Sequence, residues 1–304
     1  MKTIIQSQFD LQQTAESGQC FRMNPCGEHT CSVISGDYYL EIRQDGACFS
    51  FDCPDGDYPF WHHYFDLDTD YGAYIASIRR RDAYLRAAAQ AGFGIRILNQ
   101  DVWEMIITFI ISQQRTIPKI REAVEALSFH YGAKKEVFLS DGTLRTYYTF
   151  PTPKQLGQAT LEDLRALKLG YRASYIHQIC ADAREGRLDL QKLAAMDYET
   201  ALDYLTGFYG IGTKVANCVC LFGLHHIDAF PVDTWIQQIL TTRYYPKNPR
   251  KYRPLPKSRL YETMIRDYFG CYKGYSGVMQ QYIFYYERQV VRHRPSGNGR
   301  PDLS

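Results

Sequence analysis

Short apolar runs that alternate with polar positions fill the first sixty residues. The runs Cys31-Ser-Val-Ile, Tyr38-Tyr-Leu-Glu-Ile-Arg and Ala47-Cys-Phe-Ser-Phe are separated by Gly, Asp and Asn-Pro. A period of two with turn residues between the runs is typical of antiparallel strands. The pattern therefore predicts an antiparallel sheet at this end of the chain.

From about residue 68 the apolar positions recur with the period of a helix. This period predicts helices over residues 71–80, 82–91, 102–112 and 117–131, and a last helix from about 277 to 291. Pro151-Thr-Pro153 and Thr160-Leu-Glu-Asp are typical helix starts, with Thr160 as an N-cap. The stretch 241–260, rich in Pro, Lys, Arg and Tyr, shows no clear period and is predicted to be a loop.

Together the two patterns predict an α+β protein with two domains. We expect an antiparallel β-sheet domain with helices over residues 1–92. A mostly helical domain is expected over residues 93–304.

Composition is that of a folded protein without a membrane span. The chain has 304 residues and is 45% hydrophobic, and its longest apolar run, at 105–111, is about seven residues long. A membrane-spanning helix needs ~20 apolar residues. Residues 1–10 lack the apolar block of a secretory signal, so we expect a cytoplasmic protein, associated with the nucleoid if the source is bacterial. The nine Cys have no metal-binding or redox spacing, and most are expected to be buried thiols.

The net charge of +2 at first argues against a polyanionic partner. The average hides a gradient, however. Residues 1–80 carry 5 basic and 12 acidic side chains, residues 81–240 carry 17 of each, and residues 241–304 carry 13 basic and 4 acidic ones. We therefore expect two oppositely charged faces rather than a neutral surface.

The most informative segment runs from residue 204 to residue 224. A helical pattern meets a turn built on Gly207, Gly210 and Gly212, and a second helix is predicted to start near Thr213. Glycines let the backbone approach a ligand closely, and free N–H groups at a helix start suit a DNA phosphate. The glycines alone are equally compatible with a plain helical hairpin.

Lys214 falls in the first turn of that second helix. The positive end of the helix dipole disfavours a cation there and so favours the neutral amine that a nucleophile requires. Taken alone, Lys214 is also compatible with an ordinary solvated lysine. Cys218 lies four residues on, on the same helix face, and Asp233 follows Pro231-Val as the predicted N-cap of a new helix.

Residues 205–235 resemble the helix-hairpin-helix (HhH-GPD) DNA glycosylase superfamily. The hairpin of that superfamily ends in Gly-x-Gly and Lys, with Pro-Val-Asp some twenty residues later. The form Gly-x-Gly-Thr-Lys-Val-Ala-x-Cys is similar to the 8-oxoguanine DNA glycosylase branch. This resemblance implies that Lys214 is the nucleophile, that Asp233 assists it, and that Cys218 contacts the flipped base.

Further segments resemble the same branch in the same order. Ser17-Gly-Gln-Cys-Phe-Arg22 implies that the Gly18 carbonyl accepts from the N7 hydrogen of the oxidised purine. Leu169-Gly-Tyr-Arg-Ala173 implies that Tyr171 enters the duplex and that Arg172 contacts the orphaned base. Gln280 and Phe284, four apart in the last predicted helix, match the amide and the aromatic ring that bracket the flipped base. The resemblance also implies a TATA-binding-protein-like topology for the N-terminal sheet.

Some positions depart from the pattern of the branch. Where the branch has Asn-Asn-Asn-Ile-x-Arg, this chain has Gln114-Arg-Thr-Ile-Pro-Lys119, which makes Gln114 and Lys119 the expected opposite-base readers. Lysine lacks the bidentate fork of arginine, so the preference for cytosine opposite the lesion is left open. Three further positions differ in residue type: the His, Trp and Asp of the branch are replaced here by Trp235, Met23 and Asn217, respectively. Only Cys271 follows Cys220, so no iron–sulfur cluster is expected.

The resemblance implies a base-excision-repair enzyme that flips 8-oxoguanine out of duplex DNA and cuts its glycosidic bond. A Schiff base on Lys214 would then allow β-elimination, which is the AP lyase step. No metal or organic cofactor is implied, although a monovalent cation at the hairpin is compatible with the family. The expected partner is double-stranded DNA with an oxidised purine, bound by a monomer through Lys119, Arg172 and the basic stretch 241–304.

Two alternatives remain at this point. A monofunctional alkylpurine (3-methyladenine) glycosylase of the same superfamily keeps the Asp but has no nucleophilic Lys, and Lys214 speaks against it. A non-catalytic helix-hairpin-helix DNA-binding module needs the glycines but has no use for Lys214, Cys218 and Asp233 together.

Overall fold

A computed structural model describes residues 1–291 of the chain and begins with a five-stranded antiparallel sheet. The strand order is β1-β5-β4-β3-β2, which confirms the antiparallel sheet predicted from the alternating pattern. The strands are β1 (Lys2–Ile5), β2 (Met23–Gly27), β3 (Thr30–Ser35), β4 (Tyr38–Asp45) and β5 (Cys48–Asp52).

Burial alternates along the central strands because one face of the sheet is covered. Val33, Phe49 and Phe51 point from the sheet into a core of their own. Trp61 and Phe65 close this core from the helical side, in and just after a helix over Tyr58–Tyr64 that the sequence analysis did not predict.

The rest of the described chain is mostly helical, as expected. Helices 117–131 and 102–111 match the predicted ranges closely, and Thr160 caps its helix as predicted, in a capping box with Asp163. The helices are α1 (Leu11–Glu16), α2 (Tyr58–Tyr64), α3 (Tyr71–Ala76), α4 (Ala83–Ala91), α5 (Val102–Ile111), α6 (Ile117–Tyr131), α7 (Pro153–Leu156), α8 (Leu161–Ala166), α9 (Arg172–Arg184), α10 (Leu190–Ala194), α11 (Tyr198–Thr206), α12 (Thr213–Phe222), α13 (Thr234–Ile239), α14 (Pro249–Tyr252), α15 (Lys257–Tyr268) and α16 (Ser276–Tyr285).

A β-hairpin inside the helical region was not predicted. It pairs β6 (Lys134–Phe138) with β7 (Leu144–Tyr148). Long-range contacts hold it against the N-terminal sheet: Tyr147 donates to the carbonyl of Asp37 at 2.6 Å, and Arg145 forms an ion pair with Glu41 at 2.7 Å. Such contacts between distant segments leave no periodic signal in the local sequence.

The prediction of a loop over residues 241–260 is wrong. Residues 240–244 form a π-helix, residues 245–247 form a 3₁₀ turn, and α14 and the start of α15 follow. Tyr244 and Tyr252 are buried there, and the Tyr252 hydroxyl donates to Asp267 at 2.9 Å. One buried aromatic per short segment anchors the chain without producing a helical period. Likewise, α16 ends at Tyr285, and residues 286–291 continue it as a π-helix.

The loop that carries Gly18 is fixed between the sheet and the helical region. The side chain of Gln19 donates to the carbonyl of Arg96 at 2.8 Å and accepts from the Leu98 N–H at 2.8 Å. Its own carbonyl accepts from Gln100 at 2.9 Å. These bonds place the neighbouring Gly18 at the border of the two regions. The predicted domain boundary after residue 92 stays a prediction. Helix α4, which precedes that boundary, packs against α16 of the helical region.

Two further expectations concern membranes and thiols. Across residues 1–291 we find no helix that combines the length and the apolar character needed to span a bilayer. All nine Cys are free thiols, and six of them are buried, which confirms the expectation that most are buried.

Candidate active site

The glycine hairpin joins α11 to α12. Gly212 is the N-cap of α12 and offers no side chain, so the first N–H groups of the helix have no intrahelical acceptor. Gly210 has φ +88, and a Cβ there would lie 2.4 Å from Cγ of Tyr175. Only glycine therefore fits at position 210. The Ile211 N–H that follows it donates to the carbonyl of Phe208 at 3.1 Å, so the N–H groups that suit an anion are those in the first turn of α12.

Lys214 lies in the first turn of α12 but is not a freely solvated side chain. It is half-buried, its Nζ donates to Oγ of Ser112 at 3.1 Å, and the same atom lies 5.1 Å from the ring centroid of Phe109. Ser112 follows α5 directly. The amine is thus held in a fixed place between two helices, as a nucleophile requires.

Asp233 is the N-cap of α13, as predicted, and its Oδ1 accepts from the Ile236 N–H at 2.9 Å. Burial raises the pKa of Asp233, while the backbone hydrogen bond from Ile236 and the charge of Lys214 act in the opposite direction. The carboxylate and the amine are therefore close enough to interact electrostatically.

Cys218 lies one helical turn after Lys214 and is buried. Burial raises the pKa of its thiol to about 11, against the lowering effect of Lys214. A thiol with this pKa is protonated at neutral pH and is a poor nucleophile. Cys218 is therefore not a second reactive group, and its side chain is buried beside Lys214 on α12.

Gly18 and Phe284 lie next to each other. Gly18 has φ +82, and a Cβ there would lie 3.2 Å from Cε1 of Phe284 and 3.7 Å from Cδ1 of Ile117. Gln280, one turn before Phe284 on α16, is buried, and its Nε2 donates to the carbonyl of Pro231 at 3.3 Å. Helix α16 thus connects the Gly18 loop to the segment that carries Asp233.

Arg288 belongs to this cluster, and the sequence analysis missed it. Its Nη1 would lie 2.9 Å from a Cβ on Gly18, its Cζ lies 5.2 Å from the ring centroid of Phe284, and its Nη2 donates to the carbonyl of Glu16 at 2.7 Å. The charge of Arg288 also reaches Asp233. The spacing 280, 284, 288 was a signal that could have found it, because residues four apart share one helix face.

A second cluster surrounds the hairpin. Gln113 donates its side-chain amide to the carbonyl of Gly210 at 3.0 Å, and its own carbonyl accepts from Nε of Arg172 at 2.8 Å. Arg172 also donates to the carbonyl of Leu169 and is only 6% exposed. Its predicted contact with an orphaned base would therefore require these carbonyl bonds to be released.

The remaining predicted DNA contacts are on the surface. Tyr171 is 45% exposed, and the guanidinium of Arg172 lies 4.4 Å from its ring centroid. Gln114 is exposed with φ +52, and Lys119 is exposed and paired with Glu122 at 2.6 Å. Lys119 lies in the first turn of α6. Ile117 of the same helix is near the Gly18 loop, because its Cδ1 would lie 3.7 Å from a Cβ on Gly18.

The basic end of the chain is partly neutralised. Lys247 pairs with Asp82 at 3.4 Å, and Lys251 pairs with Asp267 at 2.6 Å. Residues 292–304 of the predicted basic stretch lie outside the described residues. Paired cations contribute less to a DNA-binding field, so the expectation that the whole stretch lines the DNA stays a prediction.

Of the departures from the branch, two have a structural role. Asn217 accepts from the Tyr198 hydroxyl at 2.7 Å and donates to the carbonyl of Thr213, which ties α11 to α12. Met23 is buried in the core of the sheet domain. Trp235 is half-buried on α13. Within residues 1–291 no group of three or more His, Cys, Asp or Glu is arranged to hold a metal ion.

Two family models match adjoining parts of the chain. The 8-oxoguanine DNA glycosylase N-terminal domain matches residues 3–106, and the HhH-GPD superfamily base excision DNA repair protein matches residues 107–257. The N-glycosylase/DNA lyase of Saccharomyces cerevisiae is 34% identical over 215 residues, which cover 63% of this chain and 56% of the yeast protein. The chain thus spans less than two thirds of that relative's length.

Solved structures match over almost the whole chain. MBOgg1, in complex with a low-affinity DNA ligand, has a TM-score of 0.83 and 32% identity, covering 96% of this chain and 100% of that one. The 8-oxoguanine glycosylase/lyase of Clostridium acetobutylicum, in complex with duplex DNA containing cytosine opposite 8-oxoguanine, has a TM-score of 0.81 and 30% identity. The match to it covers 93% of this chain and 92% of that one.

Proposed function

Since the chain belongs to the 8-oxoguanine DNA glycosylase branch of the HhH-GPD superfamily, we propose that it excises 8-oxoguanine from duplex DNA and then nicks the strand as an AP lyase. One observation carries this proposal: Lys214, at the end of the glycine hairpin and held by Ser112 at 3.1 Å, lies within electrostatic reach of the half-buried Asp233. That arrangement combines a nucleophile, a charge stabiliser and a phosphate site.

The chemistry follows from those three groups. The neutral amine of Lys214 attacks C1′ of the flipped nucleotide, and the bond from C1′ to the base breaks with its electron pair leaving on the base. Asp233 stabilises the positive charge that develops on the sugar. The ammonium formed by this attack gives one proton to the departing base. The C1′–O4′ bond then breaks with its electron pair on the ring oxygen, which takes a proton from water, and the nitrogen forms a protonated Schiff base with C1′. Loss of a C2′ proton expels the 3′ phosphate, which is the β-elimination step.

We propose that the base is held by four residues that the family resemblance assigns to it. Cys218 and Phe284 are proposed to sandwich its ring, while the Gly18 carbonyl accepts from the N7 hydrogen that guanine lacks. Gln280 would read the far edge of the base. Its amide is anchored on the carbonyl of Pro231 at 3.3 Å, close to the segment of Asp233.

The duplex would be held by the second cluster. The N–H groups after Gly212, at the start of α12, suit a phosphate, and the exposed ring of Tyr171 suits insertion where the base leaves. Gln114 and Lys119 are proposed to face the opposite base. Lysine is a point charge, so we expect weaker discrimination at that position than a bidentate arginine gives.

Borohydride trapping tests the proposal. It should cross-link the wild-type protein to an 8-oxoguanine duplex, and Lys214→Gln should abolish the cross-link. Lys192→Gln is the matched control, because Lys192 is an exposed lysine of α10 without a role in the site. Equal cross-linking by Lys214→Gln and wild type would refute Lys214 as the nucleophile.

The same proteins separate the alternatives. Release of 3-methyladenine in preference to 8-oxoguanine would indicate a monofunctional alkylpurine glycosylase, and lesion binding without any base release would indicate a DNA-binding module. Duplexes with C, A, G or T opposite the lesion give the opposite-base preference. We further propose that the protein acts as a monomer without a metal, which light scattering and activity after dialysis against EDTA would measure.

A further inference from the structure

The guanidinium of Arg288 lies at the point where the proposed base pocket reads the lesion. Its Nη1 would be 2.9 Å from a Cβ on Gly18, which is closer than any other side-chain atom found there. Nη2 is anchored on the carbonyl of Glu16 at 2.7 Å, two residues before Gly18. The ring of Phe284, against which the base is proposed to stack, lies 5.2 Å from Cζ.

The lesion presents two features at this edge that guanine lacks. Oxidation places a hydrogen on N7, which is a donor, and a carbonyl oxygen on C8, which is an acceptor. A site that recognises both needs an acceptor and a donor side by side. The Gly18 carbonyl can serve only as the acceptor, and a guanidinium has donors and no acceptor.

We infer that Arg288 is a specificity-determining residue that donates a hydrogen bond to the C8 carbonyl oxygen of the lesion, beside the N7 hydrogen that Gly18 reads. The inference rests on the proposed function, because it names how that site tells 8-oxoguanine from guanine. The Gly18 carbonyl alone distinguishes the bases through N7. Arg288 adds a second, independent contact that guanine cannot make.

Local structure fits this role. Position 18 must be glycine, both because of its φ of +82 and because any Cβ would meet Arg288 and Phe284. Arg288 continues the helical face of Gln280 and Phe284, so the three readers project from one side of one element. The Glu16 carbonyl fixes one end of the fork, which limits the entropy lost when the other end meets the base.

Arg288 also lies within electrostatic reach of Asp233, so a test must separate base reading from support of the carboxylate. Arg288→Met removes the donors while keeping an unbranched side chain. Arg288→Lys keeps the positive charge but loses the planar fork. Both variants should first be compared with wild type in thermal unfolding, to establish that they fold.

The readout is binding rather than turnover. Duplexes with a 2′-fluoro sugar, which resists cleavage, carry either 8-oxoguanine or guanine at one position, and a third duplex carries a tetrahydrofuran abasic analogue. The ratio of the dissociation constants for guanine and 8-oxoguanine measures discrimination. The abasic duplex reports effects that do not involve a base.

We expect Arg288→Met to reduce the discrimination ratio 10- to 100-fold, the range for loss of a hydrogen bond to a charged donor. Its affinity for the abasic duplex should change much less. Arg288→Lys should also lose at least threefold in discrimination, because one flexible ammonium does not replace the fork.

Three outcomes would overturn the inference. Unchanged discrimination by Arg288→Met would exclude the contact, and tighter lesion binding by that variant would make Arg288 an obstruction instead of a reader. Full discrimination by Arg288→Lys alongside a loss in Arg288→Met would assign the effect to charge alone. If the wild-type protein itself does not prefer the lesion, it is the proposed function that fails, which is a distinct result.

Discussion

Asp233 combines two roles that substitution can separate. As N-cap of α13 its Oδ1 accepts from the Ile236 N–H at 2.9 Å, and as a half-buried carboxylate it interacts electrostatically with Lys214. Asparagine keeps the capping oxygen and loses the charge, whereas alanine loses both. Asp233→Asn and Asp233→Ala therefore differ in stability but should share the catalytic defect.

The magnitudes follow from each contact. Loss of an N-cap side chain costs about 1 kcal/mol, and Asn is nearly as good a cap as Asp. At ~2.1 cal/mol/K of unfolding entropy per residue, that cost shifts the midpoint of thermal unfolding of a 304-residue chain by about 1.5–2 °C. Removing one preorganised electrostatic contact to a transition state slows the reaction by about 10²- to 10³-fold. Both variants should show this loss in single-turnover release of 8-oxoguanine.

Asp189 provides the matched control. It caps α10 through hydrogen bonds from the N–H groups of Gln191 and Lys192, and it is exposed. Asp189→Ala should lower stability with little effect on base release. If Asp233→Asn released 8-oxoguanine at a rate within tenfold of wild type, the assigned electrostatic role of Asp233 would be wrong.

The pH dependence provides an independent check on the same carboxyl group. Burial raises the pKa of Asp233, and the charged form is the one that stabilises the sugar cation. Base release by the wild type should therefore begin to fall at a higher pH than an ordinary Asp would give, as acid protonates the group. The ratio of the wild-type rate to that of Asp233→Asn should therefore fall as the pH is lowered through this range; a constant ratio would contradict the assignment.

Three further predictions concern residues around the site. Gly210→Ala should weaken binding to damaged and undamaged duplexes alike by at least tenfold, measured by fluorescence anisotropy, because its Cβ would lie 2.4 Å from Tyr175. Ser112→Ala should slow base release by about tenfold with little change in DNA affinity, because the Nζ of Lys214 loses its 3.1 Å acceptor. Burial raises the pKa of Glu104 to about 8, well above its value in the unfolded chain. Between about pH 5 and pH 8 the folded protein therefore holds a proton that the unfolded chain releases, and the free energy of unfolding of the wild type falls as the pH rises. Glu104→Gln should not show this loss. Its urea midpoint should therefore rise relative to that of the wild type as the pH increases from about 5 to 8.

The sequence alone predicts those site residues whose contacts join positions close together along the chain. Gly210, Gly212 and Lys214 fall within five residues, so one motif contains the hairpin and the nucleophile. Asp233 was found because Pro231-Val marks a new helix start, and the structure has Asp233 as its N-cap. Local rules of backbone geometry were enough for these positions.

The partners of those residues escaped prediction because their contacts join distant segments. Ser112 and Lys214 are 102 positions apart, and Glu16 and Arg288 are 272 apart. Neither contact leaves a trace in spacing or periodicity. The same reason explains the missed hairpin of β6 and β7, whose strands are held by bonds to Asp37 and Glu41 of the N-terminal sheet.

The two clusters around the hairpin are joined by a single peptide bond. Ser112 holds the amine of Lys214, and the next residue, Gln113, holds both the Gly210 carbonyl and the guanidinium of Arg172. If DNA draws Arg172 toward an orphaned base, Arg172 must release its hydrogen bonds to the carbonyl of Gln113. Gln113 directly follows Ser112, whose Oγ accepts from the Nζ of Lys214. Packed interiors transmit such small displacements rather than absorbing them. Hydrogen bonds of residues 112 and 113 therefore join the amine of Lys214, the Gly210 turn and Arg172, and neither residue lies in the motif that identifies the family.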